Sequence, residues 1–210
     1  MVGNSRSIAN SNRNDERRSA TPRGGGDLRI VPEPFDLDIV GEIDDRFAFG
    51  GGCHWCTEGI FQSLRGVHRV EQGWISSTAP HDAFSEAVIV HYDPSEITAD
   101  DLIEIHLATH ACEAAHPLRY RYRSAVYYFG DDAEARALVR RVGEAGKRLG
   151  REPLTQVLPF VAFRESLPEH LDYYRSNPDR PFCQRYIVPK IRQLRRTHGA
   201  FLTATEAAFG

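Results

Sequence analysis

Cysteine is scarce in this chain, which has four among 210 residues. A disulfide-stapled scaffold of this length would need more, so the fold is not expected to depend on disulfide bonds. A small number of thiols is typical of an intracellular protein that uses them for catalysis, redox chemistry or metal binding. We therefore expect a cytoplasmic protein with functional thiols. The cysteines are Cys53, Cys56, Cys112 and Cys183.

Long apolar runs and a strong net charge are also missing. No apolar stretch approaches membrane-spanning length, which argues against a transmembrane protein. The formal net charge is −3 and the pI is near 6.3, which argues against nucleic acid as the main partner. Arg17-Arg18 is followed by no apolar segment, so neither a secretory nor a twin-arginine signal is predicted.

The N-terminal part of the chain differs in composition from the rest. In the first 25 residues, five Arg outweigh one Asp and one Glu, and Ser, Asn and Gly are abundant. Such a segment cannot bury enough apolar surface to fold, so residues 1–34 are predicted to be a disordered basic tail and linker. We expect one catalytic domain at residues 35–196 and a C-terminal tail at residues 197–210.

The predicted elements of residues 46–129 alternate as strand, helix, strand, strand, helix, strand. This order predicts an α/β (α+β) fold, a ferredoxin-like βαββαβ sandwich with an antiparallel sheet and helices on one face. A long helix at 131–149, a strand at 155–163 and a helix at 188–196 are predicted as C-terminal extensions.

Cys53 follows a short apolar run and three glycines, and helical periodicity starts immediately after it. This pattern predicts a strand, a tight turn and a helix, with Cys53 at the helix N-terminus. Unpaired N–H groups and the helix macrodipole favour a thiolate there, and glycines let a reactant approach it. We predict a nucleophilic or redox cysteine; the alternative is a small buried apolar residue.

Cys56 lies three residues later and leaves three interpretations open. It could form a reducible disulfide with Cys53, bind zinc together with His54 or a distant histidine, or pack against the core. His106 and His110 have helical spacing, but no second Cys-x-x-Cys accompanies them. The zinc site is therefore disfavoured, and no bound metal or cofactor is predicted.

Glu86 lies in the predicted strand 84–92, on the same face as Val88, Val90 and Tyr92. Burial on that face would raise the pKa of this carboxyl and make it a general acid near neutral pH. The alternative is a surface glutamate at the edge of the sheet.

Four blocks of the chain resemble, in matching order, the A-type peptide methionine sulfoxide reductases (MsrA), with residues 47–191 covered. The first block stands where the family has Gly-Cys-Phe-Trp. The blocks are Gly51-Gly52-Cys53-His54-Trp55-Cys56-Thr57-Glu58; Ser85-Glu86-Ala87-Val88 with Tyr92-Asp93-Pro94; Tyr122-Arg123-Ser124-Ala125-Val126-Tyr127; and Asn177-Pro178, Phe182-Cys183-Gln184 and Val188-Pro189-Lys190.

This resemblance implies reduction of methionine-S-sulfoxide, free or in proteins. Cys53 would attack the sulfoxide sulfur, Glu86 would protonate the oxygen, and Tyr122 would be a second donor. Methionine would leave, and Cys53 would remain as a sulfenic acid. Trp55, with His54 beside it, would wall the pocket for the substrate methyl group.

The resemblance also implies how the enzyme is recycled. A resolving cysteine would condense with the sulfenic acid, and Cys183 is favoured over Cys56 for this role. Thioredoxin or a similar external dithiol would then reduce the disulfide.

Two departures from the family pattern affect the pocket. His54 replaces the family's Phe, and the stretch Ala115-His116-Pro117-Leu118-Arg119 has no acid where the family has Asp, although His116 or Arg119 could substitute in polarity. Two alternatives therefore stay open: a reductase of another oxidised sulfur or of a peroxide, and a non-enzymatic redox-sensing or zinc-binding module.

Overall fold

The computed structural model describes residues 28–29 and 45–208. Most of the predicted N-terminal tail lies outside these residues. The strands are β1 Leu28–Arg29, β2 Asp45–Gly51, β3 Val67–Ser76, β4 Ser85–Tyr92, β5 Ser124–Tyr128, β6 Gln156–Pro159 and β7 Ala162–Glu165. The helices are α1 His54–Gln62, α2 Ala99–Thr109, α3 Asp132–Leu149, α4 Tyr173–Ser176, α5 Val188–His198 and α6 Ala204–Ala208.

The sheet has a four-stranded antiparallel centre in the order β3-β4-β2-β5. Helix α1 connects β2 to β3, and α2 connects β4 to β5. This is the predicted ferredoxin-like βαββαβ arrangement, so the fold class is confirmed. β6 joins β5 in parallel, β7 joins β3 in antiparallel orientation, and β1 pairs with β7.

Helix boundaries follow the local sequence. The Thr98 hydroxyl accepts the Asp101 N–H, and the Asp101 carboxylate accepts the Thr98 N–H, which forms a capping box at the start of α2. The Asp131 carboxylate caps the first turn of α3. Gly150 ends α3 with a φ of 62°, a conformation that glycine adopts without steric cost.

The predicted strand 155–163 is wrong, because this segment forms two strands, β6 and β7. The chain reverses at Phe160 and Val161, whose N–H groups donate to the carbonyls of Tyr128 at the end of β5 and Ser76 at the end of β3. The two sides of the sheet therefore approach each other, and the sheet is curled. A run of apolar residues cannot reveal such a reversal.

Regular structure continues beyond residue 196, as far as Ala208. Helix α5 extends to His198, and Leu202 is buried and forms a β-bridge with Leu64. Among the described residues, no helix has the length and apolarity needed to cross a membrane.

Both faces of the sheet are covered. Phe49, Val88 and Val90 contribute to a large core shared with α1, α2 and α5. A second cluster on the other face includes Ala87, Ile89 and Tyr127. β4 is central in the sheet, so all eight of its residues are buried. A carboxylate on β4 is consequently removed from bulk water.

Candidate active site

The glycine turn brings Cys53 to the start of α1, as predicted. At Gly50 an added Cβ would lie 2.6 Å from the Arg123 carbonyl oxygen, so only glycine fits at this position. Gly52 has a φ of 106°, which side chains with a Cβ rarely adopt. The strand can therefore end and the helix begin within a few residues, with Cys53 as the N-cap residue.

The Cys53 and Cys56 thiols form a hydrogen-bonded pair. The Cys53 thiol donates to the Cys56 sulfur, and this bond lowers the pKa of Cys56, with further help from the charge of Lys190. The same bond raises the pKa of Cys53, followed by burial and by the negative charge of Glu86. The hydrogen bond therefore moves the two pKa values in opposite directions, and the thiolate that the sequence predicts at Cys53 stays a prediction.

Glu86 is buried, with only 2% of its surface exposed. Because β4 lies between β3 and β2, the alternative of an edge-strand surface residue is excluded. Its Oε2 accepts the His54 backbone N–H at 3.2 Å, and its Oε1 accepts Nε–H of Arg121 at 3.0 Å. Each carboxyl oxygen of Glu86 thus accepts one hydrogen bond.

Arg121 is a site residue that the sequence did not reveal. Its carbonyl accepts the Glu86 N–H and the Ser85 hydroxyl, which fixes the segment against the start of β4. Its side chain is 59% exposed and reaches Glu86 from the solvent side, and the hydrogen bond to Glu86 raises the pKa of Arg121. In the sequence, its position next to Tyr122 was the only indication that Arg121 belongs to the site.

His116 and Arg119, the polar replacements considered for the family's Asp, have other roles. The Nδ1 atom of His116 accepts the Leu118 N–H and caps a 3-10 turn. Arg119 donates to the carbonyls of Ala111 and Ala114. Both residues stabilise the loop, and the cation that reaches Glu86 is Arg121.

Tyr122 follows Arg121 in the chain and interacts electrostatically with Glu86 and Cys53. The Arg121 guanidinium is 5.2 Å from the centre of its ring. Burial raises the pKa of Tyr122, and the negative charge of Glu86 raises it further, with a smaller contribution from Cys53. The phenol therefore keeps its proton and can donate a hydrogen bond at the site.

His54 is buried next to Glu86. Its Nδ1 is 3.1 Å from the Gly73 carbonyl oxygen, and its Nε2 is 3.8 Å from Oε2 of Glu86. The ring meets Trp74 edge-on at 5.0 Å. Burial lowers the pKa of His54, although Glu86 acts in the opposite direction, so the imidazole is neutral.

Trp55 belongs to an aromatic wall that the C-terminal segment completes. The Tyr173 ring stacks on Trp55 with centroids 4.1 Å apart and an interplanar angle of 8°. Phe182 meets Trp55 edge-on at 5.5 Å. Sequence reasoning identified Trp55 alone, because its two partners are far away along the chain.

Glu58 anchors this wall from helix α1. Its carboxylate oxygens accept the N–H groups of Asp172 at 2.9 Å and Tyr173 at 3.2 Å. The side chain is 1% exposed, and burial raises its pKa. Glu58 therefore connects the helix that carries Cys53 to the segment that carries Tyr173.

The other two cysteines have different partners. Cys183 is fully buried in a π-helical turn at Cys183–Ile187, and its sulfur contacts the Tyr173 carbonyl at 4.0 Å. The charge of Cys56 contributes to its raised pKa, after burial. Cys112 is buried, and Arg151 lies 3.8 Å from its sulfur. Within the described chain, Cys56 is the cysteine hydrogen-bonded to Cys53.

His106 and His110 contact each other and nearby backbone and hydroxyl groups, and not the cysteines. Their rings stack at 4.1 Å, Nε2 of His106 donates to the Gly50 carbonyl, and Nε2 of His110 is 2.7 Å from the Ser124 hydroxyl. The described residues contain no group of three or more His, Cys, Asp or Glu placed to hold a metal ion.

Comparison with known proteins gives a consistent result. The family model described as peptide methionine sulfoxide reductase matches residues 45–201. The peptide methionine sulfoxide reductase MsrA of Deinococcus radiodurans is 33% identical over 175 residues, which cover 76% of this chain and 84% of that protein. MsrA 1 of Rhodopirellula baltica is 30% identical, covering 79% of this chain and 95% of that protein.

Solved structures share the fold. Methionine sulfoxide reductase A of Corynebacterium diphtheriae has a TM-score of 0.56 at 23% identity, covering 73% of this chain and 87% of its own. The reduced form of Mxr1 from Saccharomyces cerevisiae has a TM-score of 0.57 at 21% identity, covering 68% and 91%. With the family model matching most of the chain and the cysteine, carboxylate and aromatic wall assembled at one site, the chain belongs to the peptide methionine sulfoxide reductase family.

Proposed function

We propose that this protein reduces methionine-S-sulfoxide, free or in proteins, to methionine. Family membership supports this proposal, and one observation assigns the chemistry to particular residues of this chain. The Cys53 thiol lies at a helix start next to a thiol with a lowered pKa and near the buried Glu86 carboxyl. A nucleophile, a base for it and a proton donor are thus together.

The first step transfers oxygen from the substrate to Cys53. The Cys56 thiolate takes the Cys53 proton along their hydrogen bond, and the Cys53 thiolate bonds to the sulfoxide sulfur. The sulfoxide oxygen takes a proton from Glu86, and the resulting hydroxyl passes to Cys53. The substrate S–O bond breaks, the S–O bond of a Cys53 sulfenic acid forms, and methionine leaves reduced by two electrons.

Substrate positioning falls to Tyr122 and the aromatic wall. The Tyr122 phenol serves as a second hydrogen-bond donor to the sulfoxide oxygen. The wall of Trp55, Tyr173 and Phe182 provides an apolar surface for the substrate methyl group.

Cys56 is the resolving cysteine in this proposal. It attacks the Cys53 sulfenic acid, the S–S bond forms, and water leaves. Sequence reasoning favoured Cys183, but the hydrogen bond between Cys53 and Cys56 supports Cys56. Thioredoxin or a similar dithiol then supplies two electrons and two protons to restore both thiols, which requires a reducing compartment such as the cytoplasm.

The test is turnover of each sulfoxide epimer by the whole chain. NADPH consumption is followed with thioredoxin and its reductase, using S and R epimers of free and peptide-bound methionine sulfoxide. We expect turnover of the S epimer and its loss in Cys53→Ser. Cys112→Ser, which changes a buried thiol outside the site, is the matched control and should stay active. No turnover of either epimer would contradict the proposal.

A second candidate is reduction of another oxidised sulfur or of a peroxide. His54 and Arg121 favour it, because an imidazole and an exposed guanidinium make the pocket more polar than apolar residues would. Hydroperoxides and small sulfoxides are compared as substrates under the same conditions. A larger kcat/KM for a hydroperoxide than for any methionine sulfoxide would favour this candidate.

A further inference from the structure

Arg121 is held in place from both its backbone and its side chain. Its N–H donates to the Leu118 carbonyl at 3.0 Å, and its carbonyl accepts the Glu86 N–H and the Ser85 hydroxyl, both at 2.9 Å. Its guanidinium lies 5.2 Å from the centre of the Tyr122 ring, and its Nε donates to Oε1 of Glu86 at 3.0 Å. The side chain therefore needs little further ordering to bind another group.

Two arginines of the same loop use their guanidinium groups differently. The three nitrogens of Arg119 all donate to backbone carbonyls, those of Ala111, Ala114 and Tyr122. In the described part of the chain, Arg121 has an acceptor for Nε alone, and its side chain is 59% exposed. The guanidinium of Arg119 is thus a structural group, whereas Nη1 and Nη2 of Arg121 remain open to a ligand.

The open end of the Arg121 guanidinium suits a carboxylate. Its N–H groups lie in one plane and match the two oxygens of a carboxylate, with which a guanidinium forms paired, charge-assisted hydrogen bonds. The hydrogen bond to Glu86 raises the pKa of Arg121, and the charge of Glu86 raises it further, so the cation is maintained. Because Glu86 contacts Nε, a second carboxylate can approach the two Nη atoms from the solvent side.

The length of the substrate determines which carboxylate can reach Arg121. In the proposed reaction the sulfoxide oxygen binds Glu86, the same carboxyl group that Arg121 binds. With hydrogen bonds of about 3 Å on each side, the sulfoxide oxygen lies within about 8 Å of the guanidinium. An extended methionine side chain spans about 5 Å from its sulfur to its α-carboxyl carbon, from single bonds of about 1.5 Å. The α-carboxyl group of the substrate residue is therefore within reach of Arg121.

We propose that Arg121 is a specificity-determining residue that binds the α-carboxylate of methionine sulfoxide, so that the enzyme prefers substrates in which this carboxylate is free. Such substrates are the free amino acid and a C-terminal methionine sulfoxide, since a residue inside a peptide has an amide at this position. This inference rests on the proposed sulfoxide reduction and deepens it by naming the preferred substrate class.

The kinetic test compares N-acetyl-methionine-S-sulfoxide with its amide, which differ only at the carboxyl group. We expect kcat/KM to be about tenfold larger for the acid, the scale of a charge-assisted hydrogen bond that solvent partly screens. In Arg121→Gln the two substrates should become equivalent, whatever the rate with the amide. Arg121→Lys keeps the charge without the planar fork and should show an intermediate ratio. Arg140→Gln, which changes an exposed arginine on α3, is the matched control and should keep the wild-type ratio.

Equal kcat/KM values for the acid and the amide in the wild type would overturn the inference while the proposed function stands. A preference for the acid that Arg121→Gln retains would overturn it as well. Turnover of neither substrate and of no peptide-bound methionine sulfoxide would instead contradict the proposed function.

An acidic side chain next to the sulfoxide residue is a second source of the same group. Amidated peptides with Asp or Asn beside methionine sulfoxide distinguish this source from the α-carboxylate. We expect the Asp peptides to gain less over the Asn peptides than the acid gains over its amide. A larger gain from Asp that is lost in Arg121→Gln would overturn the assignment to the α-carboxylate.

A second measurement does not depend on turnover. Cys53→Ser lacks the thiol that attacks the sulfoxide, so the S epimer stays intact during calorimetric titration. We expect the acid to bind with about tenfold lower Kd than the amide, on the same scale as above. The difference should diminish at high salt, because salt screens a partly exposed ion pair, and it should be absent when Arg121→Gln is added. Equal Kd values for the acid and the amide in Cys53→Ser would overturn the inference.

Discussion

His54 and His110 are two buried imidazoles whose Nδ1 atoms both donate to backbone carbonyls, of Gly73 and His106, but whose Nε2 atoms meet different partners. Nε2 of His110 is 2.7 Å from the Ser124 hydroxyl, which can rotate to donate. Nε2 of His54 faces a carboxyl oxygen, which donates only when protonated. The first imidazole has a hydrogen-bond partner at each nitrogen, whereas Nε2 of His54 lies 3.8 Å from the carboxyl oxygen and forms no hydrogen bond with it.

The two arrangements lie on either side of the glycine turn. His106, His110, Ser124 and Thr155, here called the histidine network, satisfy one another and hold the end of β2 through the Gly50 carbonyl. Cys53, His54 and Cys56 follow the turn, and together with Glu86 and Arg121 they are here called the thiol site. Buried polar groups with complete partners stabilise a fold, whereas incomplete ones indicate function. Variants in the two groups should therefore affect different measurements.

The largest expected effect is that of Glu86→Gln. An amide cannot give up a proton, so the single-turnover rate of methionine formation should fall by about 10²–10⁴-fold, the usual scale for a general acid. Rapid quench measures the rate, and urea unfolding should show little change in stability.

Ser124→Ala should have the opposite effect, a loss of stability without a loss of catalytic rate. It leaves Nε2 of buried His110 without its donor, which should lower the free energy of unfolding by about 1–3 kcal/mol with the rate retained. Unchanged catalysis in Glu86→Gln, or lost catalysis in a folded Ser124→Ala, would abolish the distinction between the two groups.

Cys56→Ser should have the next largest effect, because Cys56 is both the base for Cys53 and the resolving thiol. We expect thioredoxin-dependent turnover to fall by roughly 10²-fold or more, as for loss of a general base. Cys183→Ser is the matched control and should stay close to wild type. Mass spectrometry after one equivalent of sulfoxide should find a Cys53–Cys56 disulfide, whereas a Cys53–Cys183 disulfide would restore the order inferred from the sequence.

Local patterns were enough to predict part of the thiol site. The glycines and the periodicity after them place Cys53 at a helix start, and alternation places Glu86 on a buried strand face. Other parts depend on register and tertiary contacts. The Gly73 carbonyl reaches His54 because β3 pairs with β4 in a register that sets Trp74 opposite Glu86. Arg121 reaches Glu86 because its backbone binds the start of β4.

The C-terminal part of the site could not be predicted from the sequence for a related reason. Tyr173 enters the aromatic wall through Glu58, across a separation of 115 residues. The curl of the sheet, which divides 155–163 into β6 and β7, likewise depends on bonds to distant strands. Periodicity describes which face of an element is apolar and does not say which distant segment covers it.

Glu58→Ala should have a moderate effect on both stability and binding. The N–H groups of Asp172 and Tyr173 would lose their acceptors, which should cost about 1–3 kcal/mol in the free energy of unfolding. Because Tyr173 would be less firmly held on Trp55, KM should rise more than kcat falls. Glu58→Gln keeps one acceptor oxygen and should show a smaller change in KM. A fall in kcat with an unchanged KM would place Glu58 among the groups that act on the reaction itself.

The smallest effect is the pH dependence contributed by the histidine network. Burial lowers the pKa of His110 from 6.5 to about 4, so the unfolded chain binds the proton more readily than the folded one. Stability should therefore be lost as the pH falls from 6.5 toward 4, by about 1–2 kcal/mol between pH 6.5 and 5 for this residue. Urea unfolding of the wild type and His110→Gln at both pH values measures the difference, in which carboxylates common to both proteins cancel. Equal slopes would mean that His110 is already charged in the folded state, and the histidine network would then be no more complete than the thiol site.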